Sequence, residues 1–176
     1  KIDLLKKKNI TIKSKFDYIF MFAGYVLNSN FSDVDKNLKL RKNYTVFSNC
    51  LNFSIRNSTK KIFWISSATG YPKVNKMKIF KENEFFNSQP SPAHIKIGLQ
   101  TRRFEKIISK KVKKYESSIV IIRPSEIFGE NDNFDLVNSH DITILINKIF
   151  NNKKIEIENK FFIKKNYIYI GSLLKI

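Results

Sequence analysis

The sequence predicts an α/β fold organised as a doubly wound parallel sheet. Three observations carry that expectation. Short apolar runs of strand length recur at residues 17–24 (DYIFMFAG), 61–67 (KIFWISS) and 117–122 (SSIVII). Between successive runs, apolar residues fall at helical spacing. Each run closes on small or chain-stopping residues: Ala23-Gly24, Ser66-Ser67 and Arg123-Pro124. Strand, polar loop, helix is the order in which open α/β sheets present a ligand site beyond the carboxyl ends of their strands.

Residues 1–15 alternate Lys with Ile and Leu and predict no firm element. The run 17–24 reads as a buried strand whose closing Gly24 lets something approach the backbone. Leu40, Tyr44, Phe47 and Leu51 predict a helix over 33–54, with Asn43 on its flank. Asn57-Ser58 predicts a turn, and 61–67 the second strand. Residues 68–93, with Gly70, Pro72, Pro90 and Pro92, read as a long loop, a kind usually functional or mobile. Ile97, Phe104, Ile107, Ile108 and Val112 trace a helix face over 96–114. Ile119 to Ile122 suits a strand buried on both faces, ended by Pro124, which has no amide hydrogen to give. A polar loop with one glycine, Gly129, runs to His140. Ile142, Leu145, Ile146, Ile149 and Phe150 then predict a helix. Residues 154–157 and 161–170 predict short strands in a smaller second region.

Composition bounds the function. A chain of 176 residues with 42% hydrophobic content is long enough for one domain with a real core. The net charge of +18 comes from 28 Lys and only five Arg, spread along a chain rich in Asn and Ile. A nucleic-acid surface more often clusters its charge and uses Arg for bidentate contacts. Compositional drift is the plainer reading, and a polyanion or phosphate-bearing substrate the other. Cys50 is the only cysteine, which excludes an internal disulfide and suits a reducing compartment, the cytoplasm by default. No apolar run approaches the ~20 residues of a membrane span. The chain starts at Lys1 and ends on SLLKI, so it is expected to be a piece of something longer.

Several segments carry a resemblance. Phe22-Ala23-Gly24 is similar to a strand end that lies against a dinucleotide. Asn43 sits ahead of the Ser66-Ser67 strand end, where a helix asparagine is found. Residues 65–73, ISSATGYPK, resemble a catalytic-serine segment, and Arg123-Pro124 with Phe128-Gly129 resembles an RP…YG strand and loop. Asp132-Asn133-Phe134 followed by Asn138-Ser139-His140 is the most specific match, and residues 165–170, KNYIYI, resemble an RDFIYV segment. By these residues, over about 17–174, the chain resembles the extended short-chain dehydrogenase/reductases, the NAD-dependent epimerase/dehydratase group, and within it the GDP-L-fucose synthases.

The resemblance implies a Rossmann-like domain over 1–150, lacking its first βαβ unit, and the beginning of a substrate-binding region over 151–176. It implies Ser67, Thr69 and His140 as catalytic residues, Thr69 standing at the family's cysteine position. It places Ala23, Gly24, Ser66 and Pro124 against NADP or NAD, and Asn133, Lys148 and Lys165 on a nucleotide sugar, a GDP-sugar. A homodimer is implied; a membrane or nucleic-acid partner is not. Two departures stand against it. The glycine-rich dinucleotide turn is absent. The family's tyrosine acid/base and its lysine fall on Ile97 and Thr101, with Glu105 at the following acidic position; an alternative register gives His94 and Gly98. Isoleucine moves no proton and threonine carries no charge.

Each residue has a plainer reading. Ser67 is a strand-end serine, His140 a polar helix start, and Asp132 and Asn133 turn formers. Lys148 and Lys165 are two lysines among 28, and Cys50 is a small buried hydrophobe. No metal-ligand spacing exists. Three functions follow: a catalytically impaired nucleotide-sugar epimerase/reductase, a pseudoenzyme that binds a nucleotide sugar or a protein without turnover, and, less favoured, a basic nucleic-acid binder. A decayed gene product without function is a fourth.

Overall fold

The computed structural model describes residues 2–6, 10, 12–27, 32–75, 78–115, 117–134, 139–155 and 166–175. They form β1 (Tyr18–Met21), α1 (Asp33–Arg56), β2 (Lys61–Ile65), α2 (Ile95–Lys114), β3 (Ser118–Ile122), β4 (Glu126–Phe128), α3 (Asp141–Phe150), β5 (Tyr167–Tyr169) and the short α4 (Ile170–Leu173). The chain divides into two compact units, Lys1–Arg123 and Pro124–Ile176. The first junction residue is a strand end and the second a proline. A division of 1–150 from 151–176 remains a proposal about function.

In the first unit, β1, β2 and β3 form a parallel sheet in that order. Parallel neighbours cannot be joined by a tight turn, so each connection needs a crossover, supplied here by α1 and α2. Ser32 starts α1: its hydroxyl accepts the amide of Asp35 at 3.1 Å. The helix stops at Asn57, and Ser58 turns the chain at φ 54°. Lys111, Lys113 and Lys114 fill the last turn of α2, where cations oppose the helix dipole favourably.

Alternation in β2 sends Ile62 and Trp64 under the helices, where they meet Met21, Leu51, Ile108 and Val112. Phe47 of α1 stacks on Phe104 of α2 at 4.1 Å, with Trp64 edge-on to Phe104 at 6.1 Å. A fully buried ring of this size contributes ~1.5–3 kcal/mol, so these three aromatics dominate the clamp of both helices on the sheet.

The opposite sheet face corrects one expectation. Tyr18 is 60% exposed, Phe20 62% and Val120 37%. Neither β1 nor β3 is buried on both faces, because α1 and α2 cover the same side. The described residues from 68 to 94, where the sequence predicts a long loop over 68–93, are more ordered than a plain loop. They contain 3-10 turns at Ala68–Gly70, Glu82–Phe86 and Pro92–His94, and a bridge between Pro72 and Pro90.

In the second unit, β4 and β5 pair in parallel. β4 lies within what reads in the sequence as polar loop, since three residues are too short for periodicity to register. The apolar periodicity of α3 appears as expected. The expected strand over 161–170 is seen as Tyr167–Tyr169. Residues 156–165 fall outside the described set, and 154–155 form no strand. Among the described residues no helix is long and apolar enough to cross a membrane, and no cluster of metal-ligating side chains occurs.

Candidate functional site

Because the three strands run parallel and in register, their carboxyl ends, Met21, Ile65 and Ile122, share one edge of the sheet. Ala23, Gly24, Ser66, Ser67 and Arg123 follow at that edge, the place where α/β sheets bind ligands. Asn43 organises its β1 end. Its side-chain oxygen accepts the Tyr25 amide at 2.6 Å and its amide donates to the Tyr25 carbonyl at 3.0 Å. One helix side chain thus satisfies both backbone groups of the residue after Gly24, leaving Ala23 and Gly24 exposed.

The β2 end is held from below. Ser66 extends the sheet through its amide to Ile122 O at 2.7 Å, and its hydroxyl donates to Glu105 Oε1 at 2.5 Å. Glu105 is buried and takes a two-pronged ion pair from Arg123: Nε to Oε1 at 2.8 Å and Nη2 to Oε2 at 2.7 Å. Such fork-to-carboxylate pairs are the strong, geometrically specific ones. The Glu105 hydrogen bond holds the Arg123 guanidinium above its ordinary pKa, with burial pulling the other way. Arg123 also lies 4.0 Å over the Phe85 ring, and its Nη1 reaches the Tyr71 hydroxyl at 3.4 Å and the Glu82 carbonyl at 3.2 Å. One ion pair therefore ties the ends of β2 and β3 to α2 and to the 71–86 segment.

Above this brace sits the turn Ala68–Gly70. The Ser67 and Thr69 hydroxyls lie 2.8 Å apart, and the Thr69 amide donates to Ser67 Oγ at 3.2 Å. The turn lies directly on α2. A Cβ at Gly98 would stand 2.6 Å from the Thr69 carbonyl oxygen, so only glycine allows this approach. Arg102 Nε donates to the Gly70 carbonyl at 2.7 Å. Half-buried Ile97 and buried Thr101 lie on the same helix, beside Gly98.

The remaining expected residues belong to the second unit. Pro124 opens it, half-buried. Exposed His140 precedes α3, and its carbonyl accepts the Ile144 amide at 3.0 Å. Asn133 follows Asp132, whose carboxylate accepts the Asn133 amide at 2.7 Å and the Thr143 hydroxyl at 3.3 Å. Those bonds fit the turn-forming reading of Asp132. Lys148 is half-buried in the last turn of α3. Lys165 and Asn138 lie outside the described residues. Sequence reasoning noted Glu105 only as an acidic position and missed its pairing with Arg123. The available signal was the use of Arg, rare in this chain, at a strand end.

The profile of the NAD dependent epimerase/dehydratase family matches residues 1–171. The chain belongs to that family. A GDP-L-fucose synthase of Sinorhizobium fredii (strain NBRC 101917 / NGR234) is 23% identical over 151 residues, covering 84% of this chain and 48% of the relative. Among solved structures, a GDP-L-fucose synthetase from Naegleria fowleri bound to NADP superposes with a TM-score of 0.71 at 17% identity, over 87% of this chain and 51% of that one. A UDP-glucose 4-epimerase of Thermotoga maritima with UDP-glucose gives 0.76 at 16% identity, over 90% and 50%. These likenesses establish the fold, a partial Rossmann-like α/β arrangement. The chain spans about half the length of these relatives.

The family binds a dinucleotide, and the residues present fit only part of one. The small, exposed Ala23-Gly24 at the sheet edge suits a flat ligand. The five glycines, at 24, 70, 98, 129 and 171, stand too far apart to build a glycine-rich phosphate turn within these 176 residues. Thr101 brings no charge to α2. The pyrophosphate therefore finds no cradle in the described residues.

Proposed function

We propose that this chain is a nucleotide-sugar epimerase/reductase-like protein, similar to the GDP-L-fucose synthases, that retains sugar-nucleotide recognition and is impaired in turnover. The observation that carries the reading is the Ser67–Thr69 hydroxyl pair on a turn braced by Glu105 and Arg123. Two adjacent hydroxyls at a strand's carboxyl end suit a keto or hydroxyl oxygen of a sugar, one donating while the other accepts. The impairment rests on α2. Glu105, four residues beyond Thr101, bonds Ser66, which supports the register that places Ile97 and Thr101 where the family keeps its tyrosine acid/base and its lysine. With isoleucine there, that position of α2 offers no acid to a developing alkoxide.

In this proposal Ser67 and Thr69 hold the sugar's reacting oxygen. By resemblance alone, His140 stands at a catalytic position of the family and Asn133, Lys148 and Lys165 at its sugar-nucleotide positions; NADP or NAD is the family's cofactor, with a homodimer its expected assembly. A pure pseudoenzyme is the second reading, favoured by the neutral, buried Thr101. A nucleic-acid role receives little support, since Arg123, one of the five arginines, is turned to internal partners.

Titration calorimetry at about 0.15 M salt, where diffuse charge attraction is largely screened, tests the reading with GDP-fucose and NADPH as probes. The expected result is saturable GDP-fucose binding, weak NADPH binding, and improved NADPH affinity in the Ile97→Tyr/Thr101→Lys variant. Absence of GDP-fucose binding overturns the reading. Unchanged NADPH affinity in the double variant counts against the register.

A further inference from the structure

Next to the Ser67–Gly70 turn, whose Gly70 carbonyl Arg102 binds, the outer flank of α2 and the 3-10 turn ending at Phe86 enclose an open groove of about 370 Å³. Among the described residues its walls carry three cations, Arg102, Arg103 and Lys106, with Phe86, Leu99 and Ile107, and no acidic residue. Two of the five arginines of a chain with 28 lysines stand side by side here.

Arg102 makes the groove unusual. It is only 9% exposed, yet its described hydrogen bonding is one contact, Nε to the Gly70 carbonyl. Its Nη2 is buried without a hydrogen-bond partner among the described residues. Its guanidinium stands 5.7 Å from the Phe85 ring centre and 5.9 Å from that of Phe86. Glu105, the acid nearest in sequence, is occupied by Arg123 and Ser66. Buried arginines are normally matched by a carboxylate or phosphate that uses their planar fork. Here the described residues supply none by hydrogen bond, while Arg103 and Lys106 add charge of the same sign. Burial pushes the Arg102 guanidinium down in pKa and Glu105 pushes it up; the group stays cationic at neutral pH.

We propose that this groove binds an organic phosphate, its anionic head meeting Arg102, Arg103 and Lys106 and its apolar body lying on Phe86, Leu99 and Ile107. The apolar wall separates this from a generic basic patch. A bare anion would use only half of the lining.

The test is calorimetry with phenyl phosphate, inorganic phosphate and phenol at fixed ionic strength. The net charge of +18 attracts any anion, so the control must remove charge without touching the groove. A second cavity, lined by Lys13, Lys15 and Arg56, provides it. Phenyl phosphate is expected to bind at one site, at least tenfold tighter than inorganic phosphate or phenol. Arg103→Gln/Lys106→Gln, at two side chains more exposed than Arg102, is expected to keep the melting temperature and to weaken phenyl phosphate at least tenfold. Lys13→Gln/Lys15→Gln is expected to leave it within twofold. Equal weakening by both pairs means diffuse attraction and overturns the proposal. Equal affinity for phenyl and inorganic phosphate overturns the apolar half. No binding of phenyl phosphate by a chain of unchanged melting temperature overturns it entirely.

Discussion

The two compact units hold their family-like residues in opposite ways. In Lys1–Arg123, the polar groups at the sheet edge are built into the framework. Ser66, Glu105 and Arg123 form one bonded set, with the carboxylate side chain 2% exposed and the guanidinium 17%. In Pro124–Ile176, His140 and Asn133 stand on the surface, where the Asn133 amide donates to the neighbouring Asp132 carboxylate and the His140 carbonyl accepts the Ile144 amide. The first arrangement makes geometry and stability inseparable. The second allows side chains to change with little cost to the fold.

The largest effect that tests this contrast is Glu105→Ala. Removing one member of a buried ion pair leaves the other charge uncompensated, at a cost of ~3–5 kcal/mol. His140→Ala, on an exposed side chain, should stay within about 0.5 kcal/mol. Urea denaturation midpoints measure both. A Glu105→Ala loss below ~1 kcal/mol would break the contrast, because the pair would then be a surface ornament.

The same contrast explains what could be read from the chain alone. The strand and helix runs of the first unit were legible because Ile62 and Trp64 alternate, and because Phe47, Leu51, Phe104 and Ile108 keep helical spacing. The exposed faces of β1 and β3 were not, since DYIFMFAG and SIVII read equally well as fully buried strands; which face is covered depends on the helices present. Strand β4 was hidden because three residues give no period. Ser67 and Thr69 came from a motif and were found in contact. The Glu105–Arg123 pair joins residues 18 apart, on different elements, and no local pattern reports such a pairing. Gly98 was visible only as one candidate register position, while its reason, the Thr69 carbonyl, is tertiary.

Gly98→Ala probes that tertiary reason at intermediate size. On helix propensity alone, alanine should stabilise α2 by up to about 1 kcal/mol. The added Cβ would meet the Thr69 carbonyl at 2.6 Å and Pro90 Cβ at 2.8 Å, and forcing such overpacking costs ~1–3 kcal/mol. The expected net is a loss of about 1 kcal/mol, accompanied by weaker GDP-fucose binding as the Ser67–Gly70 turn shifts. Gly129→Ala in the second unit, at φ 142° and 2.5 Å from Ile170 Cγ2, should also lose stability without that binding change. A Gly98→Ala variant more stable than the parent would show that the turn does not rest on α2.

The smallest effects lie at the surface and separate the units by pH. Glu84 of the first unit bonds Lys78 and the Lys81 amide, and these hold its carboxyl below the ordinary range. Glu130 of the second unit accepts the Tyr169 hydroxyl, which lowers the Glu130 carboxyl and raises the Tyr169 phenol. A lowered carboxyl adds stability above its unfolded value, near pH ~4.3, and that stability is lost as pH falls through the folded value. A raised phenol adds stability below its unfolded value, near pH ~10, lost as pH rises through the folded value. Glu84→Gln should therefore flatten only the acid limb of stability against pH, whereas Tyr169→Phe should flatten both. Glu84 is half-buried at the surface and Glu130 and Tyr169 are exposed, so each change is small. About 1 M salt should erase most of the Glu84 effect, which depends on a cation, and spare the Tyr169 effect, which depends on a neutral donor. Melting curves from pH ~3 to ~11 in low and high salt read these limbs directly. Equal salt sensitivity of the two would mean that general charge repulsion, and not these two contacts, shapes the profile.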